Sequence, residues 1–265
     1  MEDPDTIGKS DPKTLVYIKQ WRLMLWMVGA WPDDAVNDRP RRPPYFAMFL
    51  LFETSVVIAG QIYFILTKFR VLSFIDIGDA YIALALSFLV GFRTFLLCFK
   101  TYGTIFWKFL RKFHLMHFKH KNEYWEEVYH TTNKVSTYFT KFMIWLAISG
   151  AVSVNITPLY QNYRLGVFQD EPPENVSAEF SVHYSFPGFK QEDFYLFVTV
   201  ANLWISYVSA FIICTMDLAL YLMIIQIIGH INTLIHTLRN FPEPQKVKEL
   251  HGFKQKFVSH LLVGT

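Results

Sequence analysis

Three charged residues stand where a charge is costly. Arg93 is the one ionised side chain in residues 80–99, Glu53 the one in residues 43–67, and Asp217 closes an uncharged run that begins at Phe194. A charge surrounded by hydrocarbon must find a partner or reach for the headgroups. The chemistry on offer is therefore an ion pair inside an apolar layer, joining Arg93 to Glu53 or to Asp217. At about 1.5 Å of helical rise per residue, Arg93 lies about 10 Å from the level of Lys100, and Glu53 about 12 Å from that of Tyr45. Asp217 falls near the same boundary as Lys100. Snorkelling of Arg93 to lipid headgroups is the alternative reading.

Other reactive residue types lead less far. His114, His117 and His120 are three apart, but no Cys or carboxylate joins them at ligand spacing, so they read as a solvated, partly cationic face rather than a metal site. No Gly-rich phosphate loop and no G-x-S-x-G elbow occurs, and nothing assembles a Ser-His-Asp triad, so no catalytic residue, metal or cofactor is expected. Lys and Arg interleaved with Phe and Trp over 100–121 suit headgroup attraction and helix packing, and the net charge of +3 gives no footing for nucleic-acid binding. Cys98 and Cys214 both lie in apolar runs and supply no disulfide framework.

The elements that must carry these residues follow from where the apolar residues collect. The chain has 265 residues, 52% of them apolar and 18% charged, with 26 Phe, 14 Tyr and 7 Trp. The apolar residues are pooled rather than spread. Residues 142–160 and 194–216 contain no Asp, Glu, Lys or Arg. About 20 apolar residues suffice to cross about 30 Å of hydrocarbon as a helix. Four spans are expected, at 43–67, 74–99, 142–160 and 194–217, and the fold class is an all-α polytopic membrane protein. The polar first 20 residues are not a secretory signal, so the first span is expected to be an uncleaved anchor. Residues 100–141 read as a helical link with its aromatic sides packed together. Residues 161–193, with Pro172-Pro173 and Pro187-Gly188, read as a loop. Residues 218–238 carry the fourth helix past the membrane until Phe241-Pro242-Glu243-Pro244 ends it.

Orientation follows from Lys and Arg. Residues 1–42 hold seven, 100–141 eight and the tail from 239 five, against two in the link between the first two spans and two in 161–193. A cytoplasmic N-terminus thus places 20 inside and 4 outside. The acceptor Asn175-Val176-Ser177 falls in the link assigned to the outside and suits N-glycosylation there. Asn155-Ile156-Thr157 also matches the acceptor pattern, but it sits within a span and before Pro158, so it is discounted.

Together these features resemble the insect odorant receptors, polytopic helical membrane proteins with a cytoplasmic N-terminus. The resemblance rests on Gly29-Ala30-Trp31-Pro32 before the first span, on Asp76 and Asp79 opening the second with Lys100 near its inner end, and on the run His230–Phe241 ending the fourth. It covers the whole chain, and it implies a plasma-membrane receptor of sensory dendrites. Such a subunit binds a small apolar volatile and gates a cation channel in a heterotetramer with a shared co-receptor. Family members have seven spans, and the resemblance places the pore on the seventh. Residues 218–265 are therefore expected to end in the lead-in to a fifth helix, and the four-span chain is not expected to conduct alone. The resemblance also puts a ligand pocket between the outer halves of spans two, three and four, where aromatics mix with a few hydroxyls and amides, and the family's sixth span, which this stretch of chain does not include. The candidate lining is Tyr81, Leu84 and Phe88 from span two, Ile148, Val152 and Ile156 from span three, and Val198, Asn202 and Ile205 from span four. Plain helix packing is the competing account of each. Alternatives for the chain are a gustatory receptor of the same architecture and a complete four-span transporter or enzyme.

Overall fold

The computed structural model describes residues 11–36, 44–167, 178–189, 191 and 194–241, with the side chains of residues 34 and 35 excepted. The described residues are helical apart from turns and one isolated pairing of Phe186 with Phe189. Seven α-helices are named in chain order. These are α1 (Val16–Met27), α2 (Asp33–Val36), α3 (Tyr45–Lys68), α4 (Phe74–Leu97), α5 (Lys100–Lys108), α6 (Glu123–Arg164) and α7 (Tyr195–Arg239). Helices α3, α4, α6 and α7 are long and apolar enough to cross a bilayer. They alternate in direction. One end of the bundle carries the α3–α4 turn and residues 178–189, and is called the loop end. The other, where α1 and α5 dock, is the foot.

Local sequence sets the helix boundaries. Ser73 caps α4 in a reciprocal box with Asp76: its hydroxyl accepts from the Asp76 N–H at 3.3 Å, and the Asp76 carboxylate accepts from the Ser73 N–H at 3.3 Å. Asn122 caps α6 through the Trp125 N–H at 2.9 Å, with Glu123 and Glu126 placed favourably in the first turn. Hydroxyls inside the long helices donate back to carbonyls one turn earlier, as Thr54 does to Leu50, Ser87 to Ala83 and Thr94 to Val90. This satisfies a polar group without water.

The element Gly29-Ala30-Trp31-Pro32 has a definite structural task. Gly29 adopts φ of 63° and ends α1. The Gly29 N–H donates to Trp26 O at 3.0 Å and the Ala30 N–H to Leu25 O at 2.7 Å, a Schellman arrangement. The phenol of Tyr102 on α5 then donates to Ala30 O at 3.0 Å. Glycine is doubly required, because a Cβ here would also clash with the Phe46 ring. This turn folds α1 back beneath the bundle.

Most of the packed core lies towards the foot. Tyr17, Ile18, Trp21, Met24 and Leu25 of α1 are buried against Phe106, Phe109 and Leu110 and against Leu218 and Leu222 of α7. The Trp21 ring stacks on Phe106 at 4.7 Å. Residues 100–141 are not one continuous helix. The chain breaks at Cys98–Phe99, widens after α5 into a π turn over Phe109–Phe113, tightens into a 3-10 turn over Leu115–His117, and restarts at Glu123. By contrast α6 and α7 are unbroken, at 42 and 45 residues, or about 63 and 68 Å. Each overruns the thickness of a bilayer core by about half its length.

Helices α6 and α7 pair through a stripe of small and polar residues. On α6 the stripe runs Thr132, Ser136, Thr140, Met143, Ala147; on α7 it includes Thr215, Ala219, Leu222, Gln226, Gly229 and Thr233. The steps of three and four give a coiled-coil-like seam, and small side chains let the backbones approach. The large apolar side chains point outward: Phe52, Leu66, Ile75, Trp145 and Leu196 are each more than 60% exposed. An apolar exterior of this extent is foreign to a water-soluble monomer.

Candidate functional site

Two polar constructions interrupt the apolar bundle, one at each end, and an ion pair lies between them. The guanidinium of Arg93 on α4 meets Asp217 on α7 at 2.7 Å and also donates to Ile213 O at 2.7 Å. Two of the charges singled out by the sequence thus meet, and they tie α4 to α7. Glu53 is not the partner of Arg93; it accepts from the indole N–H of Trp204 on α7 at 3.2 Å. That contact ties α3 to α7 instead.

At the foot, the first histidine of the 114–117–120 series is buried. His114 Nδ1 accepts from the Met116 N–H at 3.1 Å, which leaves the proton on Nε2, facing the Tyr17 phenol. Tyr17 also accepts from Gln226 Nε2 at 3.2 Å, and Gln226 Oε1 accepts from the Leu115 N–H at 3.0 Å. Burial, with lesser contributions from His117 and His230, pushes His114 down to about 3. Burial raises Tyr17 above its ordinary value. Both groups are thus neutral at physiological pH, and the network joins α1, α7 and the 113–117 break without a net charge. His117 bonds Leu110 O at 2.8 Å, so the first two histidines of the series have separate structural partners, and His120 is exposed.

At the loop end, residues 178–189 form a strap held down by three asparagines. Asn162 on α6 accepts from the Glu179 N–H at 2.8 Å and donates to Glu179 O at 2.7 Å, imitating one rung of a β-ladder. Asn155, two turns earlier, accepts from the Ser181 hydroxyl at 2.8 Å and donates to Ala151 O at 2.8 Å. Asn202 on α7 donates to Val182 O at 3.2 Å. Phe180 and Tyr184 turn inward onto Val198. The strap continues to α3, where the Ser185 N–H donates to Gly60 O at 3.0 Å and Phe64 stacks on His183 at 5.4 Å.

Beneath the strap is a narrow cleft of about 10 Å³, room for about one water molecule, lined by Asn155, Pro158, Leu159, Asn162, Glu179, Phe180, Ser181, Thr199 and Asn202. Pro158 has no N–H to give, yet α6 continues through it.

Of the nine residues expected to line a pocket, the structure brings Asn202 to the cleft, and Val198 and Ile205 to the cluster that supports the strap. The others lie elsewhere. Ile148, Val152 and Ile156 are half exposed or more on the outside of α6, as Tyr81 and Phe88 are on α4, while half-buried Leu84 does not line the cleft. On α6 they stand one residue, or about 100° of rotation, from the inward positions Ala147, Ala151 and Asn155. Hydrophobicity cannot mark the inner face of a helix that is apolar all round. Small and amide residues do so, and Asn155 and Asn162 carried that signal. Asn175 lies outside the described residues, as do Pro172-Pro173 and residues 242–265.

The strap is tightly fitted at Gly60. A Cβ there would lie 2.6 Å from Phe186 Cζ and 3.0 Å from Tyr184 Cβ. Gly60→Val is expected to lift the strap and to destabilise it by about 1–3 kcal/mol, the usual range for overpacking. Faster limited proteolysis within 178–189 is the readout, and adding Phe186→Ala should slow it again. Unchanged proteolysis in the single variant would show that the strap does not depend on this fit.

Compared with family models, with curated proteins and with solved structures, the chain matches none.

Proposed function

We propose that this chain is the four-span portion of an insect odorant-receptor subunit, which takes a small apolar volatile under the strap and passes the binding event to the foot. The observation that carries the reading is the strap and the narrow amide-rimmed cleft beneath it, with Pro158, Leu159 and Phe180 as apolar walls on the two longest helices, a cleft that reaches ligand size only when the strap lifts. Apolar walls with a few placed polar groups suit a small organic ligand. The strap couples three elements at once, since it is bonded to α3, α6 and α7. A ligand that favours one seating of the strap shifts the balance between two arrangements of α6 against α7. Those helices deliver the shift to Gln226 and Tyr17 at the foot. In the family resembled, the response is opening of a cation channel assembled with a co-receptor. The clustering of basic residues in 1–42, 100–141 and the tail supports a cytoplasmic foot and an outer strap, and the plasma membrane is what the resemblance implies.

The test is binding to the purified chain in lipid nanodiscs, by saturation-transfer NMR with a panel of short-chain volatile alcohols, ethers, aldehydes and esters. Saturable binding above empty nanodiscs is expected, and Thr199→Trp, which fills the cleft, should abolish it. Binding that ignores Thr199→Trp would place the ligand elsewhere. Labelling of an epitope inserted before Tyr45 on intact cells would overturn the orientation.

A further inference from the structure

We propose that the outer face of α5 is a docking surface for a phosphoinositide of the membrane, a lipid whose inositol ring carries phosphates beyond the one that joins it to glycerol. The inference is independent of the ligand cleft and takes from the reading above only a cytoplasmic foot. Helix α5 leaves the bilayer at its first residue: α4 ends at Leu97, the chain breaks at Cys98–Phe99, and α5 starts at Lys100. Its first turn is held where α3 begins, since Tyr102 donates to Ala30 O and the adjacent Gly29 lies against the Phe46 ring. The inner side of this segment is buried in the foot through Phe106, Phe109 and Leu110. The outer side is exposed and basic. Lys100, Thr104 and Lys108 recur every fourth residue on one ridge, and Arg111 and Lys112 follow, also exposed.

The charge on this face has a single sign. Residues 100–121 hold six Lys or Arg, and no Asp or Glu occurs between Asp79 and Glu123. Helix α2 packs against α5, and the carboxylate it brings among the described side chains, Asp33, is half-buried. The foot of α6 is mixed by contrast: exposed Glu123, Glu126 and Glu127 accompany exposed Lys134 and Lys141. A preference for bases on the inner side is met by either pattern. A ridge without acids suits a concentrated anion. Lys108 stands about 12 Å along the helix from Lys100. A lipid with a single phosphate keeps that charge in the headgroup plane, beside Lys100. Ring phosphates project past that plane towards Lys108. Lys112 rests over the Trp107 ring at 5.2 Å, so Lys100 and Lys108 are the bases assigned to the phosphates, while Arg111 and Lys112 raise the local potential.

The experiment places the chain in nanodiscs of phosphatidylcholine containing either phosphatidylserine or phosphatidylinositol bisphosphate, the two compared at equal total negative charge. Hydrogen exchange of the amides of residues 100–113 is followed against lipid content. The phosphoinositide is expected to slow exchange at about fivefold lower charge content than phosphatidylserine, as one further engaged base implies. Lys100→Gln with Lys108→Gln should remove that advantage. Lys134→Gln with Lys141→Gln, an equal loss of charge from α6, should keep it. Equal response to the two lipids, or equal loss in the two double variants, overturns the docking surface and leaves only bulk attraction. Soluble inositol trisphosphate added to phosphatidylcholine discs should protect far less than the lipid, and equal protection overturns the membrane as the source. Nanodiscs expose both faces of the bilayer, so these outcomes are separate from the orientation in cells, which the epitope before Tyr45 tests. The substituted lysines are all exposed, and the comparison of lipids on the unaltered chain decides the question even if a variant folds poorly.

Discussion

Asp217→Leu is expected to cost the folded protein about 2 kcal/mol and to lower its delivery to the cell surface. It strands the Arg93 guanidinium, which otherwise meets that carboxylate at 2.7 Å. The loss stays below that of a wholly enclosed pair because the two side chains keep 18% and 31% of their exposure, and because Arg93 retains Ile213 O. Arg93→Met should be milder, since the smaller, more exposed carboxylate is left near the end of the span. Two doubles separate charge from packing. The exchange Arg93→Asp with Asp217→Arg should recover part of the loss, and Arg93→Met with Asp217→Leu should recover most of it, because apolar side chains replace a partly buried pair at little cost. Thermal unfolding in nanodiscs and surface labelling are the measurements. If neither double recovers stability, the contact between the two side chains is not what joins α4 to α7. Exchange of Arg93 with Glu53 should rescue nothing, since Glu53 serves Trp204.

Acid is expected to loosen the foot between pH 6.5 and about 3. His114 takes a proton near 6.5 when exposed and only near 3 in the folded foot. Below 6.5 the opened state binds a proton that the packed state refuses. The contribution of His114 to stability is therefore complete above pH 6.5 and is lost as the pH falls towards 3. The slope is about 1.4 kcal/mol per pH unit, or about 2 kcal/mol by pH 5. The readout is hydrogen exchange of the α1 amides, whose side chains Tyr17, Ile18 and Trp21 pack beside the network. His114→Gln should flatten the profile in this window while destabilising the foot at neutral pH, because Met116 N–H and Tyr17 lose an ideal partner. His117 and His230 each donate from Nε2 to a backbone carbonyl, Leu110 O and Phe113 O, and do not share the His114 network. A profile identical in the two proteins would show that His114 stays neutral in the open state as well.

Sequence alone determined the broad plan. Run length and the pooling of apolar residues fixed four long helices, since a helix is the cheapest way to satisfy a backbone in an apolar surrounding. The costly isolation of Arg93 pointed to a pair, and only one of two candidate acids proved to be within reach. Two residues that carried the resemblance have local structural tasks: Gly29 stops α1 and Asp76 caps α4. What tertiary structure decided was rotation and contact. A helix that is oily on every side gives no amphipathic stripe from which to read its inner face, so Ile148, Val152 and Ile156 were placed about 100° from the seam. The strap was read as a loop because Pro and Gly signal only the absence of regular structure, while its fixing by Asn155, Asn162 and Asn202 spans two helices and is invisible along one chain segment. The same holds for Tyr17, His114 and Gln226, which are neighbours only because Gly29 turns α1 back beneath α7. Local pattern is set by short-range sterics and hydrophobicity. Which polar groups meet is set by how the helices are turned against one another, and that is decided by the whole packed bundle.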